Sequence, residues 1–83
     1  MTIYKIFTAP AGHYKDRSSY KFVASFADGA TGGLYCSDMR DKSVYRNCDI
    51  IMEEVHDVEI DDKPGEIVCA IAVTGEYLML EEV

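Results

Sequence analysis

Tryptophan is missing from this chain, proline and histidine occur twice each, and cysteine three times. Each scarcity excludes something. Cys36, Cys48 and Cys69 are odd in number and form no C-x-x-C pair, so neither a disulfide framework nor a zinc ribbon is legible in them. They read as reduced thiols used as small apolar side chains, Cys69 above all. His13 and His56 make no H-x-x-x-H or H-E-x-x-H spacing, which removes the helical zinc motifs. No apolar run approaches the ~20 residues of a membrane span. The opening residues Met1 to Lys5 lack the long apolar core and small-residue cleavage site of a secretory leader. A cytoplasmic protein without membrane contact is the expectation. Internal repeats and low-complexity tracts are also lacking.

What remains is an ordinary globular composition, 48% hydrophobic and 28% charged over 83 residues, which argues against wholesale disorder. One domain spanning 1–83 is expected, since a chain this short has no room for two cores.

Positive charge is scarce in one half only. Residues 1–47 carry seven cations against four acids, a net of +3; residues 48–83 carry Lys63 alone against eleven acids, a net of −10, giving −7 in total. So polarised a chain has a field able to orient a partner before contact. The acidic half repels a nucleic-acid backbone, whose binding rests on cationic phosphate contacts, so direct nucleic-acid binding is disfavoured; a local patch on the basic half is the exception left open.

The hydrophobic pattern is that of strands. Residues 2–9, with Ile3, Tyr4, Ile6 and Phe7, read as a strand ended by Pro10 and Gly12, and residues 11–19 as an exposed loop. In residues 20–27, Tyr20, Phe22, Ala24 and Phe26 alternate with Lys21, Val23 and Ser25, which predicts one buried aromatic face. Asp28-Gly29 and Gly32-Gly33 predict a turn, with a short strand over 34–37 after it. Residues 38–47 fit either a helical turn capped by Ser37 or a charged loop. Residues 48–60 fit a strand bulged near Glu53-Glu54 better than a helix. Pro64-Gly65 predicts a type II turn within 61–66, and Thr74-Gly75-Glu76 a tight turn into 77–80. The unbroken apolar run Ile67 to Val73 makes the best candidate for the centre of the fold. The expected fold is therefore mostly β: a single small antiparallel sheet or half-barrel of five or six strands. An α+β arrangement, with one short helix within residues 38–56, is the runner-up.

Chemistry finds little footing. Alternating carboxylates from Asp57 to Asp62 faintly suggest a calcium loop, but the sixth-position glycine is missing and Val68 stands where the closing glutamate belongs. A nucleophile would be Cys36 or Cys48 with His13 or His56 as base, and neither cysteine has an activating context. The 28–33 glycines lack a following Gly-Lys-Ser/Thr. No catalytic residue, metal ligand or cofactor is assigned, and the chain is read as a non-enzyme.

Binding is the better expectation. Glu53, Glu54, Asp57, Glu59, Asp61 and Asp62 form a candidate acidic face for a basic protein surface, such as that of a nucleic-acid-binding protein. Carboxylates spaced along twisted strands can resemble a nucleic-acid backbone, a device suited to a small inhibitor carried by a phage or mobile element. Tyr14, Arg17, Tyr35 and Tyr45 are candidate secondary contacts, because tyrosine with arginine is the composition of protein hot spots and of single-strand stacking platforms. The alternative is a module for a small anionic ligand, held by His13, Tyr14, Arg17 and Tyr35 between the 11–19 and 28–33 loops. Oligomerisation through an exposed strand edge is a third expectation.

Overall fold

A computed structural model describes residues 2–56 and 65–80, the side chains of residues 43, 77, 79 and 80 apart. Its strands are β1 (Thr2–Pro10), β2 (Lys21–Phe26), β3 (Cys48–His56), β4 (Glu66–Ile71) and β5 (Tyr77–Leu80), with one helix, α1 (Gly29–Arg40), between β2 and β3. The strands form one antiparallel sheet in the order β2-β1-β3-β4-β5. The protein is thus mostly β, with a helix on the sheet. Its sheet is open: among the described residues β2 and β5 are unpaired edges, so the half-barrel closure is not made. The centre is β3, flanked on both sides. The 67–73 run supplies an interior strand, β4, one place away from it.

The helix begins upstream of the 38–56 window and takes in both the expected 28–33 turn and the expected 34–37 strand. Asp28 starts it: its carboxylate accepts from the Thr31 amide at 3.1 Å and the Thr31 hydroxyl at 2.9 Å, an N-cap. The glycines that suggested a turn serve close packing. A Cβ on Gly29 would stand 3.1 Å from the Tyr4 ring, and one on Gly32 would stand 2.8 Å from Met52 Sδ. Cys36 and Met39 follow on the buried side, against Tyr4, Ile6, Ile50, Met52, Cys69 and Ile71. At the other end Arg40 donates to the Cys48 carbonyl at 3.0 Å, to the Ala72 carbonyl at 2.9 Å, and to the Tyr45 carbonyl. This clamp joins the helix end, the short 3-10 turn Ser43–Tyr45, β3 and the end of β4.

Bulges decide which face each side chain takes. Ile6 pairs with Ala24 but Phe7 pairs with Phe22, so Val23 is an extra residue in β2. The expected single aromatic face is therefore split. Phe26 packs under the helix, on the side shared by Tyr4 and Ile6, while Phe22 and Tyr20 turn to the opposite side with Phe7. A second shift, at Val68 in β4, puts Cys69 opposite Met52 and Ile67 opposite Glu53. The chain between Gly12 and Tyr20 folds across the non-helical face, where Tyr14, Tyr20, Phe7 and Ile67 cover Ala9, Ile51 and Ala70. Gly12 (φ 83°) and Gly75 (φ 88°) take the left-handed positions of their turns. The second turn, closed by Gly75 N–H to the Ala72 carbonyl at 2.9 Å, leads from β4 into β5 where the sequence placed it.

Candidate functional site

The expected acidic face divides on inspection. Glu53 points to the non-helical face, buried, and is corrected as a surface contact: desolvating a carboxylate demands partners, and both its oxygens have them. Arg17 donates to Oε2 at 2.5 Å, and the Gly65 amide donates to Oε1 at 2.9 Å. Arg17 also donates to the Gly65 carbonyl at 2.7 Å, so its guanidinium locks the 11–20 segment to the start of β4. Asp49, likewise buried, accepts from the Gly12 amide at 3.0 Å. Neither acid offers charge to a partner.

Glu54 lies on the helical face beside Tyr4, and strand register sets it opposite Glu66. His56, two residues on and therefore on the same face, holds Nε2 2.5 Å from Glu54 Oε1 and Nδ1 2.9 Å from Thr2 Oγ1. An ionised carboxylate only accepts, so in the neutral imidazole the proton sits on Nε2 and Nδ1 accepts from the Thr2 hydroxyl. Hydroxyl, imidazole and carboxylate are in the sequence a nucleophilic site uses, but the imidazole is 57% exposed on an open sheet, with no enclosing cleft described. The phenol of Tyr4 is pushed above its usual range by burial first, then by Glu54 and Asp28. This end of the sheet thus collects Glu54, His56, Glu66 and the Asp28 cap. Asp57, Glu59, Asp61 and Asp62, with the turn expected at Pro64, lie outside the described residues.

The secondary contacts are not brought together. Tyr14 packs on the non-helical face with Lys15 Nζ 5.6 Å from its ring centre, and Arg17 is beside it in the clasp. Tyr35 and Tyr45 pack on the helical side, Tyr35 against Phe26 at 5.1 Å. A pocket that needs His13, Tyr14, Arg17 and Tyr35 on one anion is not formed. The 28–33 segment is helix, Arg17 already has Glu53, and Tyr35 faces the other way. An open groove of about 230 Å³ lies elsewhere, between Ser37, Arg40, Asp41, Ile71 and Gly75. Its cation is spent on three carbonyls.

Burial raises all three thiols: Cys36 to about 12, with Cys69 nearby adding to the effect, Cys69 by burial alone, and Cys48 by burial partly offset by Arg40. Among the described residues no three His, Cys, Asp or Glu side chains are placed to hold a metal, and no helix is long and apolar enough to cross a membrane. The sequence reading missed Thr2, His56 and Glu66 as neighbours of Glu54, although the Glu54/His56 spacing of two on a strand was the available signal. Comparison with protein-family models, curated proteins and solved structures returns no match.

Proposed function

We propose that this protein acts without catalysis, docking on a basic surface of another macromolecule through the acidic end of the sheet where β3 leaves and β4 returns. The observation that carries this reading is the pairing of Glu54 with Glu66. Like charges directly opposite each other on neighbouring strands destabilise a sheet, so folding alone gives no reason to keep them there. The segment that joins these strands in sequence carries Asp57, Glu59, Asp61 and Asp62 against Lys63 alone. His56 gives Glu54 a hydrogen bond in the free protein. A cationic partner relieves the repulsion with its own lysines and arginines.

The target best suited to such a charge array is a protein that otherwise holds nucleic acid, which would make this chain a cytoplasmic competitor or modulator. The test is capture of partners from the native host on the immobilised full chain, at low and at high salt. The comparison variant carries Glu54→Gln, Asp57→Asn, Glu59→Gln, Asp61→Asn, Asp62→Asn and Glu66→Gln. A partner held at low salt, released by duplex DNA and lost in the neutralised variant is the expected result. A partner held equally well by the neutralised variant refutes the reading.

A further inference from the structure

Sulfur is concentrated on one side of the sheet. Of the nine buried side chains clustered between α1 and the strands, four are Cys36, Met39, Met52 and Cys69. The cluster on the other face, around Ala9, Ile51 and Ala70, holds none among the described residues. Both faces need filling, and leucine or valine would fill either, so packing alone gives no reason for that division.

Register and helix spacing bring the sulfurs together. Met52 stands directly opposite Cys69 where β3 pairs with β4, so thioether and thiol are cross-strand neighbours on the helical face. Cys36 and Met39, three apart, share the buried side of α1. Met52 Sδ reaches the helix one turn before Cys36, 2.8 Å from where a Cβ on Gly32 would stand. Cys36 and Cys69 are near enough that charge on Cys69 opposes ionisation of Cys36. The open groove of about 230 Å³ meets this seam. Ser37, which lines it, follows Cys36 in the helix, and Ile71, which also lines it, lies two residues past Cys69 on the same strand face.

We propose that Cys36, Cys69 and Met52 form a binding site for copper(I), reached through this groove. Thiolate and thioether are soft donors, and together they suit that ion. Structural zinc takes four donors from thiolate, imidazole and carboxylate, and among the described residues only the two thiols of this cluster qualify. As the copper–sulfur bonds form, each thiol releases its proton to solvent and the copper stays monovalent, so no electron is moved. The site lies in the core under α1 and does not rest on the acidic end.

Copper(I) offered anaerobically to the full chain as its bathocuproine disulfonate complex should transfer as a single equivalent, read by loss of the complex's colour. Thermal melts should shift upward with the ion, because it binds the folded state. Cys36→Ala and Cys69→Ala should each abolish transfer while circular dichroism shows the fold retained. Cys48→Ala, at a thiol that donates to the Tyr45 carbonyl outside the cluster, should not. Met52→Leu, which keeps the core volume, should still take copper(I) but yield it to a lower concentration of chelator. No transfer to the folded chain, undiminished transfer to the Cys36→Ala, Cys69→Ala double variant, loss of transfer in Cys48→Ala, or retention by Met52→Leu as firm as that of the wild type overturns the proposal.

Discussion

Breaking the Arg17–Glu53 pair from its two sides should have unequal costs. The Glu53 side chain is 8% exposed and that of Arg17 is 42% exposed, so one ion is inside and the other stands at its mouth. Arg17→Met leaves a buried carboxylate with the Gly65 amide as its remaining partner. Removing one member of a buried pair costs about 3–5 kcal/mol, and water admitted at the vacated mouth brings the expectation to about 3. Glu53→Gln keeps the Gly65 bond through the amide oxygen and lets Arg17 turn into solvent. Its cost is that of an ordinary hydrogen bond, about 1 kcal/mol. The double variant buries no charge and should lie about 2 kcal/mol above the sum of the single losses, the coupling that a double-mutant cycle reads. Urea unfolding of the four proteins, followed by circular dichroism, measures all three quantities. For a domain of this size, Arg17→Met should lower the melting midpoint by roughly 12–24 °C. Equal costs from the two sides, or coupling within about 0.3 kcal/mol of zero, would show the pair to be an ordinary surface contact and refute the reasoning.

Two further outcomes test the helix. Gly33 has open space where a Cβ would stand, so Gly33→Ala should gain about 0.5–1 kcal/mol from helix propensity, whereas at Gly32 the clash with Met52 Sδ should outweigh that gain and leave Gly32→Ala less stable than wild type; thermal melts decide, and the reverse order would mean that α1 does not sit on the sheet as described. The Asp28 carboxyl is held below its usual range by the Thr31 hydroxyl and then the Thr31 amide. Its stabilisation is therefore present above the unfolded value near pH ~4 and is lost as pH falls through the lower folded value. Asp28→Asn, which keeps an N-cap acceptor, should remove that acid-side loss from the stability–pH curve.

Much of the strand content was legible because it depends on neighbours in sequence. Ile3 to Phe7 and the valines and isoleucines around Met52 favour extended backbone, and Gly75 supplies a turn residue that almost nothing else can. The helix was hidden by its own packing. Gly29, Gly32 and Gly33 depress helix propensity by about 1 kcal/mol each, so local preference favours a turn. Gly29 and Gly32 are there because Tyr4 and Met52 leave no room for a side chain, and those residues are far away in the chain. The local sign was present in Asp28 and Thr31, a capping pair that the Asp-Gly dipeptide concealed.

The charge sum was legible, and the position of each charge was not. Period-2 reasoning treats every step along a strand as a change of face, and one extra residue at Val23 reverses the assignment of everything before it in β2. That slip separates an aromatic core strip from a ring exposed on the far face. Glu53 makes the complementary case. In sequence it is one of a run of acids, yet an arginine 36 residues away draws it inside and leaves Glu54 to face Glu66. Pairing Arg17 with Glu53 removes one charge of each sign from the surface, so it leaves the net charge unchanged, and Glu54 and Glu66 remain at the end marked by Thr2. The acidic end does not depend on that internal neutralisation, so Arg17→Met, which frees a carboxylate on the non-helical face, should leave capture of a basic partner by the folded variant unchanged.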